Sequence, residues 1–389
     1  MARLYRADND RLSPKTRLSG AGFGNILDVT DVDMGNSGKT PAVETILRPG
    51  QILDHKYRVE KLIGLGGMAA VWAGANKRTG KRVALKMILQ SLADSEEMRE
   101  PFRREALAAG RINHPNVVTV FDVFDHDGRE CIVMELLLGE PLADRLARQG
   151  LMEPEEAFAL LLPALRGVAA AHAHHVIHRD LKPDNVFLCT SADGEYVTTK
   201  VLDFGISKIM HPSGESSDLT LAGKSMGTPA YMAPELANGS RMCDRRTDVY
   251  GFGAVLYEAL SGHRPFQGLE GLQLLDYIIK EPPRPIASFR PDLSPEVLAV
   301  VERAMAKDPK DRYRSVESLI GAIESLLPAT TISRALTPVV GVPVIPAADM
   351  IRRLGEEPRQ SRTPWILAGV ALAISSALAL WAGYTLFRR

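Results

Sequence analysis

The stretch HRDLKPDN, residues 178–185, decides how the rest of the chain is interpreted. It carries an acid (Asp180), a fixed cation (Lys182) and an amide oxygen (Asn185) within one short loop. Phosphoryl transfer needs such a set: an acid for the hydroxyl proton, a cation on the moving phosphoryl group and an oxygen ligand for a hard metal ion. A second acid is expected on the next hairpin, and Asp203 of the DFG sequence supplies it. These partners, in this order, argue against a polar loop that contains HRD by accident.

Composition narrows the class of protein. The 389 residues are 45% hydrophobic and 24% charged, with zero formal net charge. This mixture is typical of globular domains, and the absence of a basic excess argues against a nucleic-acid partner. Three widely spaced cysteines, Cys131, Cys189 and Cys243, form no CxxC pair. Their spacing argues against a disulfide framework or a zinc site and favours a reducing compartment.

The C-terminal stretch 365–387 differs from the rest because it contains no charged residue. It is long enough to span a hydrocarbon core of about 30 Å, which predicts a transmembrane helix. The alternative, a buried helix of a globular domain, is disfavoured because the segment is apolar on all sides. The Pro-rich residues 328–364 predict an extended juxtamembrane linker with arginines on the cytoplasmic side. We therefore expect a single-pass, tail-anchored protein of the cell membrane whose globular part faces the cytoplasm.

Residues 1–56 are rich in small and polar side chains and lack sustained periodicity, which predicts a flexible N-terminal tail. GNSGKT at 35–40 looks like the end of a phosphate-binding loop, but Asp33 stands where the first glycine belongs and no apolar strand precedes it. GAGFG at 20–24 lacks a strand–helix frame as well. Neither segment is interpreted as a phosphate site.

From Tyr57 onwards the pattern is typical of strands. An alternating run at 57–63 is followed by a glycine-rich turn and a second strand at 70–73, so backbone N–H groups could approach a phosphate there. The next strand, 82–86, ends on Lys86, which needs an anion near apolar walls. Glu105, on a helix that begins at Pro101, is the best-placed acid, although a surface pair with Arg103 or Arg104 is the alternative.

Further strands are predicted at 117–124 and 131–135, and the periodicity then becomes helical at 142–150 and 154–175. The second of these helices is largely apolar, which predicts that it is buried. His172, His174 and His175 near its end do not have the spacing of a zinc site. We interpret them as hydrogen-bonded histidines of a helix end.

Taken together, the motifs resemble those of a eukaryotic-like (Hanks-type) serine/threonine protein kinase of the sort found in bacteria. The resemblance covers about residues 57–327, and the set of motifs is highly specific. It rests on GLGGMAAV, VALK, HRDLKPDN, DFG, GTPAYMAPE, DVYGFG and KDPKDRY. The resemblance implies an α+β, two-lobed fold with a β-rich N-lobe at 57–135 and a helical C-lobe at 140–327.

The resemblance also implies a role for each matching residue. The groups implied in catalysis are Asp180, Lys182, Lys86 and Glu105, and magnesium, or manganese in its place, would be held by Asn185 and Asp203. Glu235 is implied to pair with Arg312, and Asp248 to brace the catalytic loop. The nucleotide site for ATP would be formed by Ile63, Gly64, Gly66, Gly67, Val71, Ala84, Lys86, Met134, Glu135, Leu137 and Phe187.

The implied activity is transfer of the ATP γ-phosphate to Ser/Thr hydroxyls of proteins in signal transduction. Lys182 and Thr228 follow the serine/threonine pattern of the family. Arg179 beside Asp180 suggests phosphorylation of the activation segment, at Thr220 or Ser225 before Ser216 or Ser217, because a phosphate could pair with this arginine. In the membrane helix, Gly369, Ala373 and Ala377 form a small-residue face that could support a homodimer and autophosphorylation.

Two departures and two alternatives accompany this interpretation. Ala69 replaces the third glycine of the glycine-rich loop, and residues 190–195 add an extra turn that we expect to extend a surface hairpin. A pseudokinase is disfavoured because every charged group of the site is present. A small-molecule phosphotransferase is disfavoured by GTPAYMAPE, which in this family forms a platform for a peptide.

Overall fold

The computed structural model describes residues 47–66, 69–89, 109–204, 229–240 and 243–328. The chain divides into two compact units, and all described residues belong to the first, Met1–Pro343. The second unit, Val344–Arg389, with the predicted membrane helix, lies outside the described residues. The linker at 328–364 also lies outside them, apart from its first residue.

The N-terminal part of the unit is a six-stranded antiparallel sheet in the order β1-β2-β3-β4-β6-β5. Apolar side chains of one face, among them Trp72, Leu85 and Val133, form its core. The β5–β6 hairpin turns at Asp127-Gly128, where both residues have positive φ, as a tight two-residue turn requires. The strands are β1 (Ile52–Leu53), β2 (Tyr57–Leu65), β3 (Ala69–Asn76), β4 (Arg82–Ile88), β5 (Val120–His126) and β6 (Arg129–Glu135).

The expectation of a flexible tail over 1–56 is wrong for its last ten residues, 47–56. Strand β1 pairs with β2 through Ile52↔Arg58 and Leu53↔Tyr57. Leu47 and Leu53 are 4% and 0% exposed and pack into the core of the sheet. A two-residue strand is too short to produce an alternating pattern, so the sequence pattern began only at Tyr57.

The larger, helical part is built around two buried helices, α2 and α4, whose cores are continuous. Helix α2 begins with Pro154 at its first turn, and α6 begins at the N-cap Ser294, whose side chain accepts from Val297 N–H. The helices are α1 (Leu142–Gln149), α2 (Pro154–Ala173), α3 (Pro234–Ala237), α4 (Arg246–Ser261), α5 (Gly271–Lys280), α6 (Pro295–Ala304) and α7 (Val316–Glu324).

The sequence prediction of a buried helix from residue 154 is confirmed by α2. Among the described helices, α2 is the one with the length and composition to cross a membrane. Most of it is buried inside the fold, as expected of a core helix, so this finding has no bearing on the predicted membrane segment.

A small antiparallel sheet, β7-β8-β9, positions the loop that contains HRDLKPDN. Its strands are β7 (Gly139–Pro141), β8 (Val186–Thr190) and β9 (Tyr196–Val201), so the loop lies between α2 and β8 and Asp203 follows β9. The extra residues 190–195 form the turn of the β8–β9 hairpin, as predicted. Gly139 has φ +130°, and a Cβ there would lie 1.9 Å from the Leu188 carbonyl oxygen, so glycine is required at this crossing.

Candidate active site

The side chains of the HRDLKPDN loop converge on Asp180. The Lys182 Nζ atom lies 3.1 Å from Asp180 Oδ2. The Asn185 amide donates to the Asp180 backbone oxygen at 2.7 Å and approaches Asp180 Oδ2 at 3.3 Å. Pro183–Asn185 form a 3₁₀ turn, which brings Asn185 back towards Asp180. An acid, a cation and an amide are thus held within a few ångströms of one another.

Lys182 remains a cation in this setting. Burial lowers the pKa of Lys182, but the charge and hydrogen bond of Asp180 outweigh burial, so the pKa lies above its ordinary value. A protonated Lys182 beside the Asp180 side chain supplies the cation that phosphoryl transfer requires.

Asp248, at the start of α4, braces the loop from below, as predicted. Its Oδ2 accepts from His178 N–H at 2.8 Å and from His172 Nε2 at 2.7 Å, and its Oδ1 accepts from Arg179 N–H at 2.8 Å. Arg179 has φ +64°, an unfavourable conformation for a residue with a side chain, and its bond to Asp248 maintains that conformation. Asp248 is 1% exposed, so these bonds compensate for the burial of its charge.

One of the three histidines near the end of α2 has a buried acid as its partner. His172 bonds to Asp248, which confirms the interpretation for this histidine, although its partner was not foreseen. For His174 and His175 the interpretation stays a prediction. Among the described residues, no group of three or more His, Cys, Asp or Glu side chains could hold a metal ion.

His178 connects the loop to the segment that carries Asp203. Because a carbonyl oxygen only accepts, His178 Nε2 donates to Leu202 O at 2.8 Å, which leaves Nδ1 as the acceptor for Asp180 N–H at 3.3 Å. Burial lowers the pKa of His178, although Asp248 and the Leu202 carbonyl act in the opposite direction. Phe204 is fully buried, with its ring centroid 4.8 Å from that of His178. The residue after Asp203 is therefore anchored beneath the catalytic loop.

Lys86 and Asp203 meet across the cleft between the two sheets. The Lys86 Nζ atom lies 2.7 Å from Asp203 Oδ1. Both line a small cavity with Met134 and Phe204. The Asn185 amide nitrogen is engaged by Asp180, which leaves its oxygen as a hard ligand that complements the Asp203 carboxylate. This donor set suits Mg²⁺, which binds through one or two protein oxygens and takes its other ligands from phosphates and water.

The backbone register places the predicted nucleotide-contacting residues on adjacent strands. Val71 pairs with both Gly64 and Lys86, and Ala84 pairs with Met134. Gly66 N–H donates to the Ala69 oxygen at 2.9 Å, so alanine at the departure position closes the turn through its backbone. Ile63 lies on β2, Glu135 ends β6, Leu137 lies in the connection to β7 and Phe187 lies on β8. Their roles towards a nucleotide stay predictions.

Several predicted residues lie outside the described part of the chain. These are Gly67, Glu105, Thr228 and the four candidate phosphorylation sites Thr220, Ser225, Ser216 and Ser217. Within the described residues, Arg179 Nε is buried and has no hydrogen-bond partner.

The predicted pair between Glu235 and Arg312 is present. Arg312 forms two parallel hydrogen bonds to the carboxylate, at 2.8 and 2.7 Å, and its side chain is completely buried. Thr247 donates to the same carboxylate at 2.8 Å. This pair fixes α3 against the later helices and takes no part in the cleft.

One buried ion pair beside the site was not predicted from the sequence. The Lys200 Nζ atom, on β9, lies 2.6 Å from the Glu135 carboxylate, 65 positions earlier in the chain. Lys200 shortly precedes Asp203, and Glu135 directly follows Met134. The available signal was a lysine within the strand sequence VTTKV, where an apolar residue is expected at a buried position.

Comparison with known proteins gives consistent results. A model of the protein kinase domain matches residues 57–321. The chain is similar to serine/threonine-protein kinase pkn2 of Myxococcus xanthus, with 38% identity over 294 residues, 75% of this chain and 34% of that protein. It is also similar to serine/threonine-protein kinase PknA of Mycobacterium tuberculosis, with 38% identity over 69% of this chain and 60% of that protein.

The kinase domain of PknI from Mycobacterium tuberculosis, seen in a crystal structure, resembles the fold with a TM-score of 0.58 and 26% identity. The match covers 72% of this chain and all of that one. The chain spans between 34% and 60% of the length of the curated relatives pkn2 and PknA.

Proposed function

Because the chain belongs to the protein kinase family, we propose that it transfers the γ-phosphoryl group of ATP to serine and threonine hydroxyls of proteins. The observation that carries the proposal is the convergence of Asp180, Lys182 and Asn185, with Lys182 Nζ 3.1 Å from the Asp180 carboxylate. Lys86 and Asp203 supply the second charged pair, 2.7 Å apart. The presence of these two charged pairs at one cleft favours an active enzyme over a binding module on the same fold.

Each group has a distinct task in this reaction. The Asp180 carboxylate orients the attacking hydroxyl and accepts its proton while the oxygen–phosphorus bond forms and the bond to the β-phosphate oxygen breaks. Lys182 offsets charge on the transferred group, and Lys86 holds the α- and β-phosphates. Asn185 and Asp203 would hold magnesium, which offsets charge on the phosphate oxygens when bound. Catalysis is thus mostly positioning and electrostatic stabilisation.

The test is phosphate transfer by the purified full-length chain in detergent, with magnesium, ATP and a generic basic protein that offers Ser, Thr and Tyr. We expect phosphoserine and phosphothreonine in that protein, and none with Asp180→Asn. Phosphotyrosine alone would contradict the proposed acceptor class. ATP binding without transfer to any protein would favour a pseudokinase.

We further propose that the chain phosphorylates its own activation segment, at Thr220 or Ser225. The support is Arg179 next to Asp180, whose buried Nε lacks a hydrogen-bond partner within the described residues. A phosphate nearby would form a charge-assisted bond with this guanidinium. Mass-spectrometric mapping after incubation with ATP tests the proposal, with Asp180→Asn as the control. Phosphate confined to sites outside 205–228 would overturn it.

The predicted segment 365–387 supports a third proposal: the kinase domain is held at the cytoplasmic face of a membrane, and a second copy can pack against it through the small-residue face. Fractionation of the expressed chain with alkaline extraction tests the anchor, and a variant that lacks 365–387 is the control. Extraction of the full chain into the soluble fraction would contradict the anchor. Failure of the wild type to phosphorylate an Asp180→Asn copy reconstituted in the same membrane would contradict a reaction between two copies.

A further inference from the structure

Three segments that are distant in sequence meet at the side chain of Glu135. Its Oε1 atom lies 2.6 Å from Lys200 Nζ and accepts from Thr119 N–H at 2.8 Å. The Glu135 N–H in turn donates to the Thr119 oxygen at 2.9 Å. The Lys200 side chain is 5% exposed and also approaches the Val117 oxygen at 3.4 Å. Residues 117–119, the end of β6 and strand β9 are therefore connected through one carboxylate.

Asn116 forms a second connection next to the first. Its amide donates to Thr198 Oγ1 at 2.9 Å and to the Thr199 oxygen at 2.8 Å. Its own backbone oxygen accepts from Val201 N–H at 2.8 Å. A Cβ at Gly167 of helix α2 would lie 2.5 Å from that oxygen, so the segment also packs tightly on the core helix. Residues 116–119 are thus joined to strand β9 at several points.

The position of this charged cluster, rather than its contribution to stability, requires an explanation. A buried ion pair contributes little net stability relative to apolar residues of the same volume, because both charges lose their hydration. Lys200, however, stands three residues before Asp203, and Glu135 directly follows Met134 at the cavity wall. The cluster therefore joins the segment expected to contact adenine to the strand that leads into Asp203, the acid expected to bind the metal ion.

We infer that Glu135, Lys200 and Asn116 form a clamp that fixes the distance between the adenine end and the phosphate–metal end of the nucleotide site. The three are positioning residues, and the inference rests on the proposed function. A nucleotide contacts both ends of the site at once. Like a bivalent ligand, it binds more tightly when the two ends are held at the separation that matches its length. Adenosine occupies one end and gains nothing from the clamp.

The test compares Mg²⁺–ADP with adenosine, by calorimetry on the full-length chain in detergent. In Lys200→Met we expect the affinity for Mg²⁺–ADP to fall between about 10-fold and 100-fold. The affinity for adenosine should change less than about twofold, since the adenine segment keeps its backbone groups. Lys200→Arg should restore most of the Mg²⁺–ADP affinity. In kinetics, the KM for ATP should rise while the KM for the protein substrate stays constant.

Two further variants keep the test decisive if Lys200→Met folds poorly. The double variant Glu135→Gln, Lys200→Met leaves no unpaired buried charge, and it should show the same selective loss. Glu324→Gln breaks the 2.8 Å ion pair between Glu324, the last residue of α7, and Arg166 of α2, takes no charge from the clamp itself, and should leave both affinities unchanged.

Two results would overturn the clamp: equal loss of adenosine and Mg²⁺–ADP affinity, or unchanged Mg²⁺–ADP affinity in the double variant. A wild-type chain that binds Mg²⁺–ADP but transfers no phosphate would contradict the proposed function and not the clamp. The binding measurements separate the two, because they do not depend on turnover.

Discussion

Two charged sites in the helical lobe, one buried and one partly exposed, have opposite characters. At Glu235–Arg312, the guanidinium uses all its N–H groups on protein: Nε bonds to Ala306 O, and the two terminal nitrogens bond to Glu235, Arg246 O and Lys307 O. At the HRDLKPDN loop, Lys182 has three donors and, among the described residues, one hydrogen bond, to Asp180. Arg312 has all its donors in use and is thus saturated, whereas Lys182, within the described part of the chain, retains donors for a ligand.

The difference shows how burial and bonding separate structural from chemical roles. Both sites contain an acid and a base at hydrogen-bond distance, so the ion pair alone does not distinguish them. A saturated pair can only hold elements together, and its loss should appear in the free energy of unfolding. An unsaturated pair costs the fold little when altered, and its loss should appear in turnover.

The largest expected effect is on the unsaturated site. Asp180→Asn removes the proton acceptor, and we expect kcat to fall by a factor of about 10² to 10⁴. The free energy of unfolding should change by less than about 1 kcal/mol, because the Asn side chain can still bond to Lys182. Steady-state phosphate transfer and urea unfolding measure the two quantities. Near-normal turnover in this variant would remove Asp180 from the mechanism.

The saturated site should give the converse result. Arg312→Met leaves the Glu235 carboxylate without its main partner, and we expect a loss of about 3–5 kcal/mol in the free energy of unfolding. Turnover per folded molecule, at a temperature where the variant is folded, should stay within about threefold of wild type, since neither residue contacts the cleft.

The matched control is the double variant Arg312→Met, Glu235→Gln. It leaves no unpaired charge and should recover part of the lost stability. If the double variant were as unstable as the sum of both single variants, the two side chains would contribute independently, and the comparison would fail.

Asp248 has both a structural and a positioning role. We therefore expect its replacement to have a smaller effect on turnover than Asp180→Asn and a smaller effect on the free energy of unfolding than Arg312→Met. In Asp248→Asn, the amide NH₂ group must face at least one of the three donors that Asp248 now accepts from, His172, His178 and Arg179. We expect about 1–3 kcal/mol of destabilisation. We also expect a fall of about 10-fold in kcat, through displacement of the loop next to Asp180.

His172→Phe is the control for Asp248, because it removes one donor and leaves the two backbone bonds to the loop in place. Its effect on kcat should be much smaller than that of Asp248→Asn. Equal effects would show that the histidine, rather than the backbone bonds, positions the loop.

Much of the fold could be predicted because local patterns carry it. The alternating run from Tyr57 corresponds to β2, which begins with alternating burial, and the apolar helix from Pro154 corresponds to α2, which is mostly buried. The order of the HRD and DFG sequences was enough to predict that Asp180 and Asp203 share a site. Strand β1 was not predicted, because a strand of two residues is too short to show an alternating pattern. It is held in the sheet by the burial of Leu47 and Leu53.

The contacts that could not be predicted join residues far apart in sequence. Lys200–Glu135 and His172–Asp248 are separated by 65 and 76 positions. No helical or strand period relates such positions, and several acids could have neutralised Lys200. Only the register of β8 with β9 and of β4 with β6 determines which acid it meets.

The smallest expected effect is the pH dependence of the saturated site. Burial raises the pKa of Glu235, but the hydrogen bond and charge of Arg312 outweigh it, so the folded-state pKa lies below 4.5, the ordinary value. The unfolded chain therefore binds more protons than the folded chain in this range, and stability rises with pH there. The contribution of the ionised Glu235 to the free energy of unfolding is fully present above pH 4.5, and it is lost as the pH falls through the folded-state pKa.

Urea unfolding at a series of pH values from neutral to acidic measures this contribution. The wild type should lose stability more steeply below 4.5 than the double variant Arg312→Met, Glu235→Gln, which has no carboxylate at this position. Other carboxylates titrate equally in both proteins, so the difference between the two curves isolates the pair. Parallel curves would mean that Glu235 is protonated alike in the folded and unfolded states. That result would contradict a saturated ion pair, and the contrast with the HRDLKPDN loop would then rest on hydrogen bonds alone.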